Sequence, residues 1–300
     1  MTHRSVYRPK MQNENVSDAT TMKDKVVMVT GANSGIGKSA SLALAKKGAT
    51  VVMVARNPER GEAARSEIIG KSRNNSVDLL LADLSSLESV RQLAFDFRKK
   101  YSKLHVLINN AGLFNQRRRV TVDGYENTFA TNYLASFLLT NLQLDLLKAS
   151  APSRIINVSS VGHYNGHINF EDLNLENDYG GWKAYGQSKL ALILFTHELA
   201  KKLQGTGVTV NAVHPGTVAT NIWSRPFGPV GFIMALPKLF MTTPEKGAET
   251  IVYLASSPDA KSVNGEYVEK LKVKKSSDES YDEEIAQRLW DVSAKLTRLS

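Results

Sequence analysis

Tyr185 and Lys189 stand four residues apart in the stretch YGQSK, a spacing that puts both side chains on one face of a helix. A tyrosine is a poor acid or base at neutral pH because its ordinary pKa is about 10, but an ammonium one turn further on favours the phenolate. Such a tyrosine can exchange a proton with a carbonyl or alcohol oxygen. Upstream lie the stretch NVSS at 157–160 and the glycine loop TGANSGIG at 30–37. The loop offers a seat for a dinucleotide, whose nicotinamide carries the hydride that a redox step needs beside the proton. This combination predicts an enzyme.

The elements that must position these groups alternate along the chain. KVVMVT (25–30) is a β-branched run suited to a buried parallel strand, and it feeds through the glycine loop into a helix ending near Lys47. TVVMVA (50–55) is a second strand, with Asn57 and Pro58 opening a charged helix. VDLLLAD (77–83) is a third, and Ser85 with Glu88 reads as a capping box for the next helix. HVLINNAG (105–112) is a fourth strand and its exit, a long helix covers about 124–148, and RIINVSS (154–160) is a fifth strand. The helix bearing Tyr185 runs to about Leu203, and TVNAVHPG (209–216) is a sixth strand. Thr243 and Pro244 read as the cap and first residue of a helix, GEYV (265–268) as a last strand, and 282–299 as a docked amphipathic helix.

Alternation of this kind predicts an α/β fold: a doubly wound, Rossmann-like parallel sheet of about seven strands with helices on both faces, in a single domain. Its ligands belong in the crevice beyond the carboxyl ends of the strands. Gly31, Arg56, Asp83, Asn110, Ser160 and Pro215 all fall at those ends. Residues 1–22 read as a mobile polar tail, 23–300 as the domain, and 217–242, rich in Trp, Phe, Met and Pro, as a mobile cap over a pocket.

The glycines are spaced Gly31, Gly35, Gly37, so the backbone of Asn33, Ser34 and Ile36 between them can approach a pyrophosphate seated at a helix N-terminus. An NAD site usually carries a carboxylate at the end of the second strand, and an arginine there suits the 2′-phosphate of NADP. Here the strand ends Val54-Ala55-Arg56-Asn57. NADP(H) is therefore expected in preference to NAD(H), held by Arg56 and Asn57, with Asp83 and Leu84 at the adenine. A competing reading makes Asp83 a plain helix-entry aspartate.

Composition narrows the field further. The chain has 300 residues, 42% hydrophobic content, a formal net charge of +9 and no cysteine. Disulfides, thiolate metal sites and cysteine nucleophiles are thus excluded, and a reducing, cytoplasmic setting is expected. The basic clusters at 117–119 and 270–275 lack the interleaved aromatics of a nucleic-acid surface, so no nucleic-acid partner is expected. No stretch is long and apolar enough to span a bilayer. The two basic patches and the apolar but Gly- and Pro-broken segment 227–240 are compatible with weak membrane-surface association. His163 and His214 have no metal-ligand spacing, so no metal is expected.

With TGANSGIG, NNAG (109–112), NVSS, YGQSK and HPGTVAT (214–220) in order, the chain resembles the short-chain dehydrogenase/reductase family over nearly all of 25–268. GANSGIGK, LHVLINNAG, APSRIINVSS, GVTVNAVHPGTV and RLWDVS are most similar to segments of its retinol dehydrogenase branch. The resemblance implies a catalytic tetrad of Asn132, Ser160, Tyr185 and Lys189, with Ser160 rather than Ser159 as the serine. It places Asn110, Ala111 and Gly112 along the adenosine ribose, and Pro215, Gly216, Val218 and Thr220 toward the nicotinamide. Asn132 is expected to position a water that resupplies protons through Lys189. It also implies a small lipophilic aldehyde or ketone and its alcohol as substrates, and pairing as a homodimer through the long helices. A steroid, quinone or xenobiotic carbonyl reductase stays open beside this reading, as does a regulator that senses NADP(H) without turnover. Trp182, Trp223, Phe227, His163 and Tyr164 are candidates to line an apolar pocket.

Overall fold

The computed structural model describes residues 21–216 and 242–299. The strands are β1 (Val26–Thr30), β2 (Thr50–Ala55), β3 (Val77–Leu81), β4 (Val106–Asn109), β5 (Ser153–Val158), β6 (Val208–His214), β7 (Glu266–Glu269) and β8 (Lys272–Lys274). They form one sheet in the order β3-β2-β1-β4-β5-β6-β7-β8. The first seven are parallel, and β8 returns antiparallel along β7. That eighth strand is the KVK inside the basic run 270–275, which the sequence presents as charge and not as a strand.

The side-chain period of two sorts the strands between two cores. Val27, Val29, Val51 and Met53 face one core, shared with Leu44 of helix α1 (Gly35–Lys46), Ile68 of α2 (Pro58–Ser72) and Ile251 of α7 (Pro244–Ser256). Met28, Val52 and Val54 face the other. There they meet Phe97 of α3 (Leu87–Lys100), Phe137 of α5 (Ala135–Ala149), Phe195 of α6 (Gly181–Lys202) and Leu289 of α8 (Glu283–Leu296). Each such fully buried side chain contributes about 1.5–3 kcal/mol. Continuous apolar strands such as VVMVT are what a sheet covered on both faces demands.

Helix starts follow local chemistry. Asn57 caps α2 by accepting from the Arg60 N–H, with Pro58 in the first helical position. Thr243 caps α7 through the Lys246 N–H, and Asp282 caps α8 through Glu284 and Ile285. Ser85 does not cap α3 as expected. It spends its N–H and hydroxyl on Asp83, and Ser86 caps the helix by accepting from Ser89. The helix expected from Gly124 begins instead with α4 (Asn127–Phe129), capped by the buried Glu126 carboxylate, and passes through a π-turn (Ala130–Leu134) into α5.

Met22, expected in the tail, belongs to the fold: it is buried, and its N–H donates to the Lys47 carbonyl at 2.7 Å. The rest of the expected tail up to residue 20, and the expected cap except Thr242, lie outside the described residues. Among the described residues, no helix is long and apolar enough to cross a membrane.

Candidate active site

Strand order reverses between β1 and β4, and a crevice opens there beyond their carboxyl ends. A cleft of about 380 Å³ fills it, within the range of small-molecule sites. Its walls bring together Gly31, Asn33, Ser34, Gly35, Ile36, Gly37, Arg56, Asn57, Asp83, Leu84, Asn110, Ala111, Gly112, Tyr185, Lys189 and Pro215. Gly216 follows with φ +87°, while Val218 and Thr220 lie outside the described residues. A larger groove of about 680 Å³ between α6 and α8 is lined by charged side chains such as Glu198, Lys201 and Arg288 and holds none of the motif residues.

The glycine end of the cleft fits a dinucleotide phosphate. Ser34 stands at the N-cap of α1 in extended conformation without a side-chain bond to the helix, and no acidic residue occupies the first turn. The free N–H groups and positive dipole end are therefore left for an anion. Gly31 and Gly35 have φ of +65° and +54°, a region that favours glycine. A Cβ on Gly37 would lie 2.4 Å from Asn110 Nδ2 and 2.5 Å from the Gly31 carbonyl oxygen. Asn110 fixes that loop by donating to the Thr30 carbonyl at 2.8 Å. Exposed Arg56 stands at the end of β2 with no ion-pair partner among the described residues. Asp83 turns one carboxylate oxygen to Ser85, and Asn57 gives its side-chain oxygen to the α2 cap. Lys38 is engaged by Glu67 at 2.8 Å.

At the other end the cleft is lined by two members of the expected tetrad, Tyr185 and Lys189, and by Ser159, while Ser160 and Asn132 stand next to this lining and not in it. Tyr185 is 5% exposed on α6, and its ring and the Ser160 hydroxyl both stand against Gly162. Lys189, one turn on, is buried, and its Nζ donates to the Val158 carbonyl at 2.8 Å. Ser159 and Ser160 have distinct fates at the end of β5. The Ser159 hydroxyl donates to the Lys189 carbonyl at 2.8 Å, whereas Ser160 Oγ accepts the Gly162 N–H at 3.2 Å and faces Tyr185. A Cβ on Gly162 would come within 3.0 Å of the Tyr185 ring, so glycine is what lets this turn approach the phenol.

Burial raises the Tyr185 pKa above its ordinary value, and the bond from Ser160 opposes the rise. This is the reverse of the lowering expected from Lys189. The ammonium is turned to the Val158 carbonyl, and desolvation of the phenolate outweighs its pull. Burial likewise brings Lys189 down to about 8, and it remains mostly charged at neutral pH.

Asn132 sits in the π-turn, a local insertion frequent at functional sites. Its side chain braces two elements: Oδ1 accepts from the Leu113 N–H at 2.8 Å, and Nδ2 donates to the Leu113 carbonyl and to Ser188 Oγ. Below the site Asn109 donates to Thr140 and to Asn157, and Asn157 donates to Thr196. This buried network ties β4 and β5 to α5 and α6. Two asparagines inside apolar strand runs were the signal for it in the sequence.

His163 and Tyr164 do not line the cleft. His163 is fully buried between backbone partners, and the Tyr164 hydroxyl donates to the Lys275 carbonyl. Trp182 does approach the site. Its ring lies 4.9 Å from Phe114 and 6.3 Å from Tyr185, and Phe114 meets Tyr185 edge-on at 5.9 Å. Phe114 was not foreseen. Trp223 and Phe227 lie outside the described residues. Among the described residues, no three His, Asp or Glu side chains converge as metal ligands.

The family model for short chain dehydrogenases matches residues 25–227. Retinol dehydrogenase 13 of Homo sapiens is 44% identical over 291 residues, covering 93% of this chain and 86% of that protein. Retinol dehydrogenase 14 of Homo sapiens is 42% identical, covering 94% and 89%. Among solved structures, the Pseudomonas aeruginosa RhlG/NADP active-site complex superposes with a TM-score of 0.67 at 26% identity, covering 83% of this chain and 96% of that one. The chain belongs to the short-chain dehydrogenase family, and it is an oxidoreductase of CH–OH and C=O groups related to the retinol dehydrogenases.

Proposed function

We propose that the chain is an NADP(H)-dependent oxidoreductase interconverting a lipophilic aldehyde or ketone with its alcohol, with Tyr185 as acid and base. The observation that carries this reading is one cleft with an uncapped helix N-terminus and Arg56 at one end and Tyr185 and Lys189 at the other, with Ser160 beside the Tyr185 ring. Bound NADPH would supply the hydride. Arg56 would take the 2′-phosphate, since its guanidinium is unpaired among the described residues and no carboxylate ends β2.

Ser160 Oγ accepts from Gly162, which leaves its own proton available to donate to a substrate oxygen. That bond strengthens as charge develops on a substrate oxygen. The raised pKa of Tyr185 keeps the phenol protonated at neutral pH, as a donor to a strongly basic alkoxide requires. Lys189 brings positive charge beside the ring, 5.6 Å from its centroid. Asn132, both of whose Nδ2 hydrogens go to the Leu113 carbonyl and Ser188 Oγ, positions the helix that carries Lys189.

Trp182, half exposed, and Phe114 form an aromatic step down to Tyr185. This apolar wall supports a lipophilic substrate, and the retinol dehydrogenases it resembles make retinaldehyde the first to try. The test is NADPH oxidation by the purified protein against a panel of aldehydes and ketones including retinaldehyde, with NADH in parallel and Tyr185→Phe as control. Turnover that needs NADPH and is lost in the variant supports the proposal. Bound NADPH without turnover of any carbonyl would favour a sensor instead.

A further inference from the structure

The Ser160 carbonyl accepts from two donors, the His163 backbone N–H at 3.1 Å and the His163 ring Nδ1 at 2.6 Å. The opposite ring nitrogen, Nε2, accepts the Ser277 N–H at 3.1 Å. A backbone N–H can only donate, so Nε2 offers its lone pair and the ring proton sits on Nδ1, donated to Ser160. The ring is completely buried. It links the turn that follows β5 to a segment more than a hundred residues later.

That segment is itself fixed. Tyr164 donates to the Lys275 carbonyl, Glu279 accepts the Ile168 N–H at 2.9 Å, and His197 on α6 bonds the Ser280 carbonyl at 2.7 Å. Ser160 is thus gripped twice, its hydroxyl by Gly162 and its backbone by His163.

We infer that His163 is a positioning residue for Ser160, holding the serine backbone against the segment 275–281 so that its hydroxyl stays aimed at the reacting oxygen. The inference rests on the role proposed for Ser160 above. His163 touches no reacting group itself. It acts by limiting how far Ser160 can drift, and a drift of about 1 Å in a catalytic group can cost on the order of 10²-fold in rate.

Three variants test it. His163→Leu removes both ring contacts, while His163→Asn retains a donor where Nδ1 stood. Ser277→Pro, which a φ of −61° at Ser277 allows, removes the N–H given to Nε2 and sets a ring carbon against that nitrogen, so it displaces the His163 ring from the side of the segment 275–281. Each is assayed with NADPH and the aldehyde of the panel that the wild type reduces fastest, beside thermal unfolding and Ser160→Ala. The expected result is a kcat lowered about 10- to 100-fold in His163→Leu with the KM for NADPH held within about twofold. His163→Asn should recover part of the loss, and Ser277→Pro should lose kcat in the same sense as His163→Leu. If His163→Leu fails to fold, the inference stands or falls on Ser277→Pro against His163→Asn. A folded His163→Leu or Ser277→Pro enzyme with wild-type kcat overturns this inference alone, as does a kcat loss matched by a rise in KM for NADPH. Wild-type kcat in Ser160→Ala, or a wild type that turns over no aldehyde, overturns it together with the reading it rests on.

Discussion

The two serines that follow β5 are adjacent in sequence and alike in chemistry, yet they have different hydrogen-bond partners, and replacing each by alanine separates them. Ser160→Ala removes a hydroxyl that accepts the Gly162 N–H at 3.2 Å and keeps its own proton to donate. Loss of one such donor to a developing oxyanion costs about 10²–10³ in kcat, or about 3–4 kcal/mol. Ser159→Ala removes a bond of 2.8 Å from a buried hydroxyl to the Lys189 carbonyl. That carbonyl lies inside α6 and keeps its helical partner, so the cost is about 1 kcal/mol of stability, a fall in Tm of about 2–4 °C. Steady-state reduction of one panel aldehyde by NADPH, with thermal unfolding of each variant, reads both quantities. The expected pattern is a crossed one: Ser160→Ala slow with a near-normal Tm, Ser159→Ala of lower Tm with kcat within about threefold of wild type. If Ser159→Ala is the slower enzyme, or if Ser160→Ala keeps its rate, the assignment of the two hydroxyls is refuted.

Arg56→Ala should raise the KM for NADPH about 10- to 100-fold, as expected for one charge-assisted phosphate contact. The KM for NADH should scarcely change, and equal effects on both cofactors would exclude a role at the 2′-phosphate. His214 is buried and its pKa is lowered to about 4 by loss of hydration. The unfolded chain, with its histidine near the ordinary 6.5, therefore binds more protons than the folded one between these values. Stability from this group is complete above the unfolded pKa and is lost as pH falls toward about 4, by at most about 3 kcal/mol. Urea unfolding from pH 7 down to 4 should show that slope, and His214→Asn should flatten it; an unchanged slope in the variant would contradict the assignment.

What the sequence made legible was local. Asn57-Pro58 and Thr243-Pro244 open helices as read because a cap needs only its own next few N–H groups. The glycine loop and Tyr185–Lys189 converge on one cleft because strand ends fix where loops must lie. Ser85 was read as the cap because Glu88 follows it at capping-box spacing, but its N–H and hydroxyl go to Asp83 and the cap passes to Ser86, a turn that the spacing alone does not show. The direction of the Tyr185 shift was misread for a different reason: the spacing to Lys189 is visible in sequence, but the desolvation that outweighs it is a property of the packed core. His163 was taken for pocket lining because its partner Ser277 is distant in the chain.

An open sheet has two flanks whose backbone donors and acceptors face water and can recruit another chain. Among the described residues, one flank ends in β8, a strand of three residues that runs against the direction of the other seven. All three are exposed, and two of them are the lysines 272 and 274, with Lys270 and Lys275 just outside. A second molecule approaching that flank would have to bring like charge onto like charge and would find only a few backbone groups to pair with. The basic run that in the sequence could suggest an anionic partner thus lies along a sheet flank, where short length and charge are the features that discourage edge-to-edge pairing.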